Sequence, residues 1–185
     1  MFKWKNVFLP SEFFFHQNNI NHQKNKEMKA IKLLFFSLIC LMVVSVNAQY
    51  YVDLGLPSGT KWKDKNEWNW RDDHGFYKYE NAVSEFGSSL PTKKQWEELE
   101  RMCTWSWTGS GYRVTGPNYN HIVLPAAGIR QENGARDGLG SVGCYCSSTR
   151  DYSRQPWYIY FDSGKHGMYD VYHSYGYSVR LVQGQ

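Results

Sequence analysis

Residues 51–62 read Tyr51-Val52-Asp53-Leu54-Gly55-Leu56-Pro57-Ser58-Gly59-Thr60-Lys61-Trp62. From Tyr50 to Leu56, the apolar positions Tyr50, Val52, Leu54 and Leu56 alternate with Tyr51, Asp53 and Gly55, the period of a half-buried strand. Pro57-Ser58-Gly59 then closes the strand as a turn. The chain beyond Ala48 carries all 16 glycines, all 14 tyrosines and seven of the eight tryptophans, but only 18 Val, Leu and Ile. That balance predicts short strands and many turns around a few large rings, and it argues against a helical bundle.

Upstream of this strand the composition changes. Met28-Lys29-Ala30-Ile31-Lys32 is followed by an apolar run from Leu33 to Val46, interrupted only by Ser37 and Ser45, and then by Val46-Asn47-Ala48. A basic start, a short apolar stretch and a small-residue ending are the parts of a signal peptide, with cleavage expected before Gln49. The run is shorter than the roughly 20 apolar residues a membrane-spanning helix needs, so no transmembrane anchor is expected in the mature chain. Cys40 lies within the apolar run and lacks the small residues a lipid-attachment site requires. The expected organisation is therefore an artefactual or disordered extension at 1–27, a signal peptide at 28–48 and one domain at 49–185. Export places that domain in the periplasm, at the cell surface or outside the cell.

The whole chain has a formal charge of +4, but its first 48 residues hold six of the 21 basic and two of the 17 acidic side chains. The remainder is neutral, with 15 of each sign, and has no net field to draw it onto nucleic acid or an acidic membrane. Lys61, Lys63 and Lys65 interleave with Trp62, Trp68 and Trp70, a pattern able to stack on single-stranded nucleic acid, but Asp64, Glu67, Asp72 and Asp73 offset it. These rings are expected to pack under a long loop, with no nucleic-acid partner.

Two helices follow. Tyr79, Val83 and Phe86 fall at i, i+4 and i+7, with Gly87 placed to stop the helix. Thr92-Lys93-Lys94-Gln95 fits a capping box, after which Trp96, Leu99 and Cys103 mark an apolar face and Glu97, Glu98, Glu100 and Arg101 are expected to face water. Strands are expected at Tyr112–Thr115, Ile122–Leu124, Trp157–Asp162 and Ser178–Val182. In the third, Trp157, Ile159 and Phe161 share one face and Tyr158, Tyr160 and Asp162 the other. The first group is expected in the core, leaving the tyrosines free.

Several phrases carry a family resemblance. Residues 51–62, Leu90-Pro91-Thr92 with Trp96-Glu97-Glu98-Leu99, Val114-Thr115-Gly116-Pro117-Asn118, Leu124-Pro125-Ala126-Ala127-Gly128, Ser147-Ser148-Thr149, Phe161-Asp162-Ser163-Gly164 and Ser178-Val179-Arg180-Leu181-Val182 occur in order along the mature chain. Together they resemble the Fibrobacter succinogenes major paralogous domain family of exported gut-bacterial proteins. The resemblance implies an α+β, C-type lectin-like fold: a small antiparallel sheet with paired terminal strands, two helices and a loop-rich upper half. The chain departs from the family at Cys146, where the family usually has tryptophan.

A second resemblance is to variable proteins diversified by retroelements, whose adenine-directed mutagenesis favours Tyr, Asp, His, Ser, Asn, Gly and Arg. In residues 150–177, 15 of 28 are Tyr, Ser, His or Asp, although no Asn follows Asn133. This is the palette of a paratope, in which Tyr supplies large area at low entropic cost and Ser and Gly adapt. The same composition also fits a fixed Tyr-rich surface. The ligand-binding set expected on this basis is Tyr152, Arg154, Tyr158, Tyr160, His166, Tyr169, Tyr172, His173 and Tyr175, facing a protein or glycan.

Other chemistry has weaker support. The three mature cysteines, Cys103, Cys144 and Cys146, leave at least one thiol unpaired in an oxidising compartment, and Cys144-x-Cys146 lacks the further ligands of a zinc site. A cysteine-dependent enzyme of the formylglycine-generating type ranks third, because no other part of that active site is recognisable. His74, His121, His166 and His173 lack metal-site spacing. The neighbouring acids Asp72-Asp73 and Glu97-Glu98 do not make a glycosidase pair. Calcium-dependent sugar motifs are absent; Gln155-Pro156-Trp157 is a partial echo. The expected protein is non-enzymatic, needs no cofactor or metal, and binds an unknown protein or glycan. A structural or assembly subunit of the bacterial cell surface is the alternative.

Overall fold

The computed structural model describes residues 24–33, 50–68, 75–170 and 174–184. The chain divides into two units, Met1–Ala48 and Gln49–Gln185. In the first, residues 24–33 form an exposed helix, α1. The apolar run beyond Leu33, on which the signal-peptide reading rests, lies outside the described residues. Among the described residues no helix is long and apolar enough to cross a membrane.

The second unit is α+β. Its strands are β1 (Tyr51–Asp53), β2 (Lys61–Lys63), β3 (Phe76–Tyr77), β4 (Thr104–Trp107), β5 (Gly111–Thr115), β6 (His121–Pro125), β7 (Ile129–Arg130), β8 (Arg136–Asp137), β9 (Gly143–Arg150), β10 (Pro156–Phe161), β11 (His166–Asp170), β12 (Tyr177–Ser178) and β13 (Val182–Gln183). They form sheets ordered β1-β2-β13, β11-β10-β9-β12-β3, β4-β5-β6 and β7-β8.

Both sequence-predicted helices are present. The first, α2 (Tyr79–Phe86), ends at Gly87, whose φ of 49° suits glycine and whose N–H donates to the Val83 carbonyl. The second, α3 (Lys93–Met102), opens with the expected box: Gln95 N–H donates to Thr92 Oγ1 at 3.3 Å, and Thr92 N–H donates to Gln95 Oε1 at 2.8 Å. Its buried face holds Trp96 and Leu99, while Cys103 is half-buried. The expectation that Glu98 faces water is corrected. Its carboxylate is buried and accepts Ser58 N–H at 2.9 Å and Ser58 Oγ–H at 2.5 Å.

The expectation that the terminal strands pair directly is also corrected. Strands β1 and β13 belong to one sheet but lie on opposite sides of β2: Val52 and Val182 both pair with Trp62. The predicted Ser178–Val182 strand is interrupted over residues 179–181. Ser178 joins the five-stranded sheet between Phe76 and Tyr145, and Val182 joins the other sheet. Between 61 and 70, Trp62 is a buried strand residue and Trp68 is exposed, while Trp70 lies outside the described residues.

Alternation on β9 and β10 creates two cores. Tyr145, Ile159 and Phe161 join Leu54, Trp62, Trp96 and Leu124 on one side. Cys144, Cys146 and Tyr158 join Tyr77, Tyr79, Ala82 and Tyr177 on the other. Both faces of the central strands are therefore covered.

Fully buried Arg180 ties three sheets together. Its Nε and Nη2 donate to Asn66 Oδ1 at 3.0 and 2.6 Å, Nη1 donates to the Lys63 carbonyl at 2.8 Å, and Nη2 also donates to the Val123 carbonyl at 2.7 Å. Asn66 Nδ2 in turn donates to the Tyr145 hydroxyl at 3.0 Å, which donates to the Pro125 carbonyl at 2.8 Å.

Candidate functional site

The expected binding residues divide between one end of the β9–β10–β11 region, its interior and its opposite end. The turn joining β9 to β10 presents Tyr152, which is fully exposed, and Arg154, exposed with φ at 65°. Asp151 fixes this turn. Its carboxylate accepts the Ser153 hydroxyl at 2.7 Å and Gln155 N–H at 2.6 Å, while its backbone bonds to both Arg154 and Gln155. Arg150 anchors the base: it donates to Glu80 Oε1 at 2.5 Å and lies 4.4 Å over the Tyr79 ring. Tyr169 is exposed on β11 toward the same end, opposite Tyr158 in the register.

Tyr158 is not available to a partner, which corrects the expectation from alternation. It is fully buried, with its ring 4.0 Å from that of Tyr177 on β12 of the same sheet, because α2 forms a second layer over the face expected to meet solvent. Its hydroxyl has no hydrogen-bond partner among the described residues. Trp157, expected in the core, is half-buried with Lys93 Nζ 3.9 Å above its ring.

Tyr160 is half-buried. It donates to Asp162 at 3.3 Å and meets Tyr169 edge-on at 5.8 Å. His166 belongs to the other face of the sheet, where it stacks on Trp105 at 4.4 Å and meets Glu100 at 3.0 Å. Tyr175 is half-buried against the second core. Tyr172 and His173 lie outside the described residues. Thus Tyr152, Arg154 and Tyr169 form the exposed group, and Tyr158 and His166 serve packing on opposite faces.

Cys103, Cys144 and Cys146 form no disulfide among the described residues. Cys144 and Cys146 are buried two residues apart on one face of β9, and Cys103 is half-buried. Burial raises the pKa of both buried thiols and, with Glu98 nearby, pushes Cys103 up to about 11. All three are thus held in the poorly nucleophilic thiol form at neutral pH. Among the described residues no group of three or more His, Cys, Asp or Glu could hold a metal ion.

Burial also raises Tyr145, to about 12, and Tyr158 and Tyr177 further. Their folded-state values exceed the unfolded values, so the stability they contribute is complete below pH 9.0 for the thiols and 10.0 for the tyrosines. It is lost as pH rises through the folded values. Melting temperature should be insensitive to these groups between neutrality and about pH 9, then fall; Tyr145 alone accounts for roughly 2 kcal/mol by pH 12. Melting scans across alkaline pH check this, and a flat profile to pH 12 would refute it.

Residues 105–182 match the family described as a domain of unknown function, DUF8237. The match covers β5 to β12, including the exposed turn and Arg180, but not its partners Lys63 and Asn66. No curated protein and no solved structure matches the chain.

Proposed function

We infer that the chain is an exported, non-enzymatic binding protein with a C-type lectin-like fold, which contacts a protein or glycan through Tyr152, Arg154 and Tyr169. The observation that carries this reading is the Tyr152 turn: a fully exposed aromatic ring and a cation on a loop locked by Asp151 and braced by Arg150. Interface hot spots are enriched in Tyr and Arg, and a loop already held in its bound shape loses little entropy on association. The ordered series of family-like phrases supports the fold, and the Tyr-, Ser- and Asp-rich composition supports diversification by a retroelement.

The test is a partner captured from a glycan array or from the native community, followed by variants. Tyr152→Ala should cost at least about 2 kcal/mol of binding with an unchanged melting temperature. Tyr158→Phe should bind normally and be at least as stable as the parent, since it removes a buried hydroxyl with no partner. Normal binding by Tyr152→Ala would overturn the reading. A reverse-transcriptase gene beside a near-copy of these codons, differing at adenines, would decide for diversification.

One observation favours the alternative of an assembly subunit. Strand β11 is an edge of the five-stranded sheet among the described residues, and an edge can accept a strand from another chain. A monomer by sedimentation at high concentration would weigh against assembly through a second copy.

A further inference from the structure

A cleft of about 1010 Å³, not lined by Tyr152, Arg154 or Tyr169, lies between α3, the 57–60 turn, the 3-10 turn Gly87–Ser89 and β13. Its lining carries a connected row of polar side chains. Buried Glu98 accepts Ser58 N–H and Oγ–H; Ser58 Oγ lies 2.7 Å from Thr60 Oγ1, and Gln95 Nε2 donates to that oxygen at 3.3 Å. Thr60 is itself only 1% exposed, so this row is set by the fold before any ligand arrives. A carboxylate has about four acceptor positions and a hydroxyl three hydrogen-bonding positions, which leaves capacity for further hydroxyl groups.

Charge narrows the class of ligand. Lys94 and Arg101 also line the cleft, on the same stripe of α3 as Glu98, at i, i+4 and i+7. Both are exposed, and neither has an ion pair or hydrogen bond among the described residues, whereas neighbouring Lys93 is paired with Glu97. Seven residues of helix separate the two cations by about 10.5 Å along the axis, room for two acidic groups on an extended ligand. Most small-molecule pockets are lined chiefly by apolar and aromatic side chains; this one is lined mainly by hydroxyl, amide and charged groups.

We propose that this cleft binds an acidic oligosaccharide, its hydroxyls meeting Ser58 and Gln95, which buried Glu98 and Thr60 hold in place, and its uronate carboxylates meeting Lys94 and Arg101. The site is independent of the tyrosine turn, so either can fail without the other.

The test is titration calorimetry of the full chain with trigalacturonate. Saturable binding is expected, weakened by added salt and at least about tenfold weaker for neutral galactotriose and for Lys94→Gln/Arg101→Gln. Both cations are exposed, so that variant should melt like the parent. Tyr152→Ala should leave the titration unchanged. Absence of binding, equal binding of galactotriose or of a Glu-rich peptide, or full binding by the double variant would each overturn the proposal.

Discussion

Arg180→Met is expected to destabilise the domain by about 3–5 kcal/mol, close to what removing one partner of a buried charged pair costs. The reason is what the guanidinium leaves behind. Asn66 Oδ1 and the Lys63 and Val123 carbonyls would lose their donor in a place where a buried orphan acceptor costs about 1–3 kcal/mol. Arg180→Lys should recover little, because one ammonium cannot reproduce a planar fork that reaches Asn66 and two carbonyls in different sheets. Asn66→Ala should be strongly non-additive with Arg180→Met, since the two share one network. Urea unfolding measures all of these, and an Arg180→Met variant within about 1 kcal/mol of the parent would show that the network is dispensable.

Gly143→Ala is expected to be comparably damaging for a purely steric reason. Gly143 pairs with Phe161 across β9 and β10, and a Cβ at 143 would stand 2.0 Å from the Phe161 ring. That ring is fixed by Tyr112 at 5.4 Å, Tyr145 at 5.8 Å and Trp105 at 6.3 Å, so it has nowhere to retreat. Overpacking of this kind costs about 1–3 kcal/mol or more, whereas Phe161→Ala costs about 3–5 kcal/mol by opening a cavity. The informative variant is the double one. Gly143→Ala/Phe161→Ala should be no less stable than Phe161→Ala alone, because the added methyl enters the space the ring vacates. Additive losses would refute that account.

The parts of the fold governed by local physics were legible in the sequence. Thr92 and Gln95 cap α3 and Gly87 stops α2 because those signals depend on a few neighbouring residues. The alternation of Trp157 to Phe161 correctly separated two faces. What alternation cannot reveal is whether a second layer lies beyond one of them, and α2, packed over that face, makes Tyr158 a core residue. Strand β9 escaped notice for a related reason: Gly143 to Ser147 are all buried, so no apolar–polar period marks it. Tyrosine compounds the difficulty, since its ring suits a core and its hydroxyl suits water. Glu98 looked solvated because its partner Ser58 is 40 residues away. Of the candidate site, Tyr152 and Arg154 were legible as binding residues from composition, and the cleft was not, since three regions distant in sequence assemble it.

The split of the C-terminal segment between two sheets bears on how the molecule is made. Ser178 fits between Phe76 and Tyr145, and Val182 lies opposite Trp62, so each of the two sheets is completed by a strand far in sequence from β2 or β3. Such distant pairings are slow to form compared with local ones. The meanders β4-β5-β6 and β9-β10-β11 join neighbours in sequence and can form first; the segment around Arg180 then closes both remaining sheets in one step.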